Sequence, residues 1–431
     1  MVKTSNERKR GDTNSDGFRL QIDLPRKGLL ILLIVLIVPY LIAAGFLLSK
    51  VNWQRAFKSG SNGNGYSEGG IPCNPGPWGK LEYIPIKIET PEEFLSIQAF
   101  ESTDPRWFFG SMTRDAALAL MDRAGISSSE HAKLASAKWE RTGAGTYVTP
   151  PTDVVISLQP KTRQAIYTTL AQFPENSSQQ DVFFFPSEDT SSFFDKSGVA
   201  DETVALVKQL CYPHGKLQFF ADLPLVLRKL QTYDDKRRLA KAISRRSTLL
   251  LKLKVDSESN IDELLKYWGR AGTEKDLRPM LESLAKVPGG ARISMVNLLP
   301  PGPSARLYTF AFPSMEPLEH DNCHWTSFNF FKDPPDNSFT NATFVRKSLE
   351  TEYYPVFTDP RYGDLVFLSK PNGEIVHSSV YVADNIVYTK NGGHYLSPWM
   401  LMRIPDMVDA FSAMYPPDQQ LKVTYYRNKY Y

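Results

Sequence analysis

The pattern of apolar and polar positions divides the chain into stretches of different character. From Gly28 to Ser49 it runs for about twenty-two residues without a charge, nearly all Leu, Ile, Val, Ala and Phe. That is long enough to cross a bilayer as one helix, and Pro39 is tolerable inside it. Lys3, Arg8, Lys9, Arg10, Arg19, Arg26 and Lys27 precede the stretch, whereas only Lys50, Arg55 and Lys58 follow closely. This asymmetry predicts a cytoplasmic tail at 1–27, a membrane span at 28–49, and everything after residue 50 across the membrane. The long basic leader, the length of the apolar stretch and the lack of an A-x-A site favour an uncleaved anchor over a removed signal peptide. Residues 50–89, rich in Gly, Ser, Asn and Pro from about 58 to 79, read as a flexible linker. From 90 to 290 the runs RDAALALMDRAG, PKTRQAIYTTLAQF, ADETVALVKQL, RRLAKAISRRSTLLLKL and IDELLKYWG repeat apolar residues every three or four positions, predicting a mainly α-helical domain. Beyond 291 the period changes. ISMVNLLPPGPSARLYTF reads as two strands about a Pro/Gly turn, GDLVFL as a short buried strand, PNG as a turn, and IVHSSVYVA as an alternating strand. The expected class is therefore α+β: one N-terminal transmembrane helix, a mainly α-helical middle, and an α+β domain over 291–431.

Composition narrows the functional classes. A net charge of +3 is too small to argue for a nucleic-acid partner, and no cofactor fingerprint is present. The basic helical run DDKRRLAKAISRR reads as a solvated face. Of the three cysteines, an exported location permits a Cys73–Cys211 bridge that leaves Cys323 free; three unpaired thiols fit as well.

Candidate chemistry centres on Cys323 and His377. Asp321 and Asn322 are N-cap residue types, and Trp325, Phe328 and Phe331 follow at helical spacing, so Cys323 is expected in the first turn of a buried helix. A thiol becomes a good nucleophile as the thiolate, which a helix N-terminus and a nearby imidazolium both favour. Along IVHSSVYVA, Val376, Val380 and Val382 share one face, and Ile375, His377, Ser379 and Tyr381 share the other. His320 and His324 flank the cysteine, but no second compact ligand pair accompanies them, so no metal is implied.

These pieces resemble the NlpC-type cell-wall peptidases, papain-like cysteine hydrolases in which a Cys opens a helix, a GDLVFF-like strand follows, and a His begins a strand of the HVGIY type. The matching residues are Cys323, the run Gly363 to Phe367, and His377 with Val380 and Tyr381, within the last third of the chain. Family members carry Ser and Gly after the Cys, whereas here His324 and Trp325 stand there. The resemblance implies a papain-like domain at 291–431, a Cys323/His377 pair, a cell-wall peptide substrate and an extracytoplasmic site at the cell inner membrane. Family spacing points to Thr389 as the residue orienting the imidazole. Hairpin geometry offers alternatives: a two-residue turn at Asp384 and Asn385 puts Lys390 on the face of His377, and a three-residue loop puts Thr389 and Asn391 there. Asn391 is favoured, then Thr389, with His394 in reserve. The expected function is membrane-anchored amide hydrolysis through the thiol. A catalytically inactive papain-like module that binds a wall component or a protein is the alternative, and acyl transfer to an amine is a third.

Overall fold

Leu249, Leu251, Leu253 and Val255 occupy alternate positions and are all buried, and this period-two pattern makes Arg246–Val255 a ten-residue strand. The computed structural model describes residues 70–187, 190, 192–312, 322–415 and 419–430, all within one unit, Gly69–Tyr431. In it, Arg246–Val255 pairs antiparallel with Lys80–Ile88 on one side and Ala291–Ser294 on the other, and Ile71–Pro72 adds an outer strand. The predicted linker thus ends earlier than expected, because alternating KLEYIPIKI forms a sheet strand.

The fold class departs from expectation. The stretch 90–290 is rich in helix, from Ile97–Glu101 to Glu274–Ala285, but besides Arg246–Val255 it also holds two three-stranded antiparallel sheets. One is formed by Trp107–Phe108, Thr146–Thr149 and Lys138–Arg141, the other by Phe183–Pro186, Leu217–Phe220 and Tyr212–His214. Among the described residues no helix is long and apolar enough to cross a membrane. The stretch 28–49 lies outside the described residues, so the described protein is α+β with no spanning helix. ISMVNLLPPGPSARLYTF gives one strand, Ala291–Ser294, and then the helix Pro301–Arg306, whose opening proline suits a first helical turn. Cys73, Cys211 and Cys323 are all free thiols.

The C-terminal part carries a six-stranded antiparallel sheet built from β1 (Tyr353–Val356), β2 (Leu365–Ser369), β3 (Ile375–Ala383), β4 (Ile386–Lys390), β5 (Trp399–Arg403) and β6 (Lys422–Asn428). Its spatial order is β1-β6-β2-β3-β4-β5. Each face is covered. On one face Leu365, Phe367, Val380, Val382, Tyr388 and Leu401 join a core that runs through α1 (Cys323–Phe328) to the four-stranded sheet. On the other, Val366, Leu368, Tyr381 and Val387 pack on Met407 and Phe411 of α2 (Ile404–Ser412). Leu251 and Leu253 are fully buried in the first core, and burial of such a side chain stabilises by roughly 1.5–3 kcal/mol. Polar links tie the six-stranded sheet to its neighbours: Thr248 Oγ1 of the four-stranded sheet donates to Leu401 O at 2.9 Å, and Tyr267 OH of the helix Ile261–Trp268 donates to Val382 O at 2.8 Å.

The GDLVFL motif has a structural explanation. Gly363 has φ +90°, and a Cβ there would run into the Phe331 ring, so close approach and backbone conformation both require glycine. Asp364, 1 % exposed, accepts from Arg427 at 2.9 and 2.7 Å and from the Arg361 N–H at 2.7 Å. It fixes the entry to β2 by tying it to β6.

Candidate functional site

Asn322 begins α1 as its N-cap, its side-chain oxygen accepting the Trp325 N–H at 2.9 Å, which satisfies one of the free donors of the first turn. Trp325 and Phe328 bury the helix against the sheet, and Trp399 Nε1 on β5 donates to Thr326 Oγ1 at 3.0 Å. Cys323 is consequently held at the first helical position, half-buried, beside Ser378 of β3. Phe331 lies beyond the helix end, and Asp321 and His320 fall outside the described residues.

The side chain that meets Cys323 is Ser378. Loss of hydration pushes the Cys323 thiol up from its ordinary value, while the N–H and hydroxyl of Ser378 and the amide N–H groups of His324 and Cys323 itself pull the other way. Fully buried, Ser378 Oγ also lies 2.8 Å from His324 Nδ1 and 2.7 Å from Ser327 Oγ. Ser327 Oγ also lies 3.3 Å from His324 O; when it donates to Ser378 Oγ instead, the Ser378 proton is left for His324 Nδ1. The Ser378 hydroxyl of β3 is therefore hydrogen-bonded to the His324 imidazole of α1 and acts on the neighbouring Cys323 thiol. Burial lowers the His324 pKa, so the ring is the neutral form at pH 7 and is free to accept a proton.

His377 lies on the opposite face of β3. Its ring is fully buried and stacks on Phe411 of α2, with centroids 4.2 Å apart. No hydrogen bond joins it to Cys323, and the expected Cys323/His377 pair is not formed. The structure does bring together His377, Thr389 and Asn391: His377 Nε2 is 2.9 Å from Thr389 Oγ1, whose hydroxyl donates to Asn391 Oδ1 at 3.1 Å. Since that hydroxyl proton is committed to Asn391, Nε2 carries the ring proton and donates to Thr389. Nδ1 is left as a buried acceptor with no partner. Burial, reinforced by the nearby His324, holds the His377 pKa down to about 3.

The register explains why Thr389 and Asn391, not Lys390, share the face of the imidazole. Ala383 pairs with Ile386 around a two-residue turn in which Asp384 has φ +54°, but a bulge follows, with Tyr381 opposite Val387 and Val380 opposite Tyr388. The extra residue shifts the faces by one, so a two-residue turn gives the facing expected of a three-residue loop. Lys390 points the other way, buried beside Trp399 and donating to the carbonyls of Gly392 and His394. His394 Nδ1 accepts the Leu396 N–H at 3.1 Å and shapes a turn. Among the described residues no three His, Cys, Asp or Glu side chains gather as metal ligands.

Ser378 and its hydrogen bond to His324 were missed by sequence reasoning. The signal was a serine on the Val380 and Val382 face of β3, a polar interruption in a core-facing row. No protein-family model, curated protein or solved structure matches this chain.

Proposed function

We propose that the protein is a thiol hydrolase of amide bonds in which Cys323 is the nucleophile and His324, acting through Ser378, is the general base. The observation that carries this reading is Ser378 Oγ, 2.8 Å from His324 Nδ1, on a serine whose N–H and hydroxyl favour the Cys323 thiolate. In the attack step the Cys323 sulfur bonds to the carbonyl carbon as its proton passes to Ser378 Oγ and the Ser378 proton passes to His324 Nδ1. Collapse of the tetrahedral adduct breaks the C–N bond, and the departing amine takes the proton back along the same path. Water then hydrolyses the thioester. Because burial raises the thiol, it rests protonated and loses its proton during attack in this route. The motif resemblance around Gly363 to Phe367 points to cell-wall peptide as the substrate class.

A second reading, a non-catalytic binding module, is favoured by the placement of His377, the imidazole of the matching motif, away from the thiol. Peptide-bond cleavage by the full chain, followed as amine release from wall peptides, separates the two. Hydrolysis lost in Cys323→Ala, and reduced about 10²–10⁴-fold in His324→Ala and Ser378→Ala, supports catalysis. Release unchanged by Cys323→Ala, or no release at all, moves the binding reading forward.

A further inference from the structure

A cavity of about 350 Å³ lies in the middle of the chain, far in sequence from Cys323, with Trp107, Val155 and Gln179 among its walls. Its size suits a small ligand. The charges around it fall into two groups. Asp222 carries its charge against Arg163, with Nη1 to Oδ2 at 2.8 Å, and its other oxygen accepts from Tyr167 OH at 2.7 Å. Arg106 is likewise neutralised by Asp104 at 2.6 Å and Glu140 at 2.9 Å. Arg228 and Lys229 line the same cavity and have no carboxylate partner among the described residues. Arg228 is nevertheless positioned, because Nη1 donates to the carbonyls of Glu101 at 2.8 Å and Thr103 at 3.4 Å. That leaves the rest of the guanidinium fork and its full charge for a ligand.

We propose that this cavity binds the C-terminal end of a short peptide, independently of the chemistry at Cys323. Arg228 and Lys229 take the terminal carboxylate, the Gln179 amide, buried at 8 % exposure, meets the last peptide group, and Trp107 and Val155 receive an apolar side chain. The two cations select an anion, and the compensated Asp222 and Asp104 do not oppose it. A neutral amide end would forfeit the charge-assisted bonds while keeping the apolar contact.

The test is calorimetric titration of the full chain with N-acetyl dipeptides of varied side chain, each as the free acid and as the C-terminal amide. At least one acid is expected to bind about tenfold or more tightly than its amide, the equivalent of ~1.4 kcal/mol. That advantage should vanish in Arg228→Gln/Lys229→Gln, whose exposed positions leave folding intact. Equal binding of acid and amide, retention of the preference in the double variant, or no heat with any acid at millimolar concentration overturns the proposal.

Discussion

Stability in acid should report the hidden imidazole. With its folded pKa depressed to about 3 and an unfolded value of about 6.5, His377 binds more protons in the unfolded chain at every pH between those values. Stability therefore rises with pH across that window. The contribution is complete above about pH 6.5 and is lost as pH falls towards 3. At pH 5 the loss is about 2 kcal/mol, and at pH 3 about 4 kcal/mol, a large share of the roughly 5–15 kcal/mol that holds a typical domain folded. Urea unfolding of wild type and His377→Gln at pH 7.5 and 5.0 isolates the term, because the carboxylates are the same in both. Wild type should lose about 2 kcal/mol more than the variant between those conditions. A direct check follows the His377 ring proton by NMR, which should hold its shift from pH 8 to 5. Equal losses in the two proteins, or a ring titrating near 6.5, would refute the burial argument.

Thr389→Val removes the acceptor for the His377 Nε2–H and strands it in the core. It should cost about 1–3 kcal/mol in urea unfolding, whereas Thr389→Ser should cost less because the acceptor survives. Arg163 is fully buried and paired with Asp222. Arg163→Met should destabilise by about 3–5 kcal/mol, and the double variant Arg163→Met/Asp222→Leu should recover most of it because no uncompensated charge remains.

Much of the C-terminal sheet is legible from period-two alternation. GDLVFL and IVHSSVYVA become β2 and β3, and Asn322 caps the helix that Cys323 opens. The four-stranded sheet was harder to read because RRLAKAISRRSTLLLKL runs a helix, Tyr233–Ser244, directly into a strand, Arg246–Val255. The alternation of Leu249, Leu251 and Leu253 was present, but the continuous apolar run around it also fits a helix. Within the site, sequence alone placed the cysteine and grouped His377 with Thr389 and Asn391. Which face of β3 meets α1 is a tertiary matter. Trp325 and Phe328 select the Val380 and Val382 side, while Phe411 covers the His377 side. No residue near β3 announces that choice, and the bulge after Tyr381 cannot be read from a run of apolar residues.

Alkylation of Cys323 by iodoacetamide, resolved from Cys73 and Cys211 by peptide mapping, bears most directly on the proton path through Ser378. Burial raises all three thiols, Cys73 and Cys211 to about 12, so faster labelling at Cys323 marks a proton path that the other two lack. If His324 draws the Cys323 proton through Ser378, labelling at neutral pH should fall about tenfold or more in His324→Ala and in Ser378→Ala, and should persist in His377→Gln. A rate that depends on His377 and ignores His324, or on neither imidazole, would contradict the assignment.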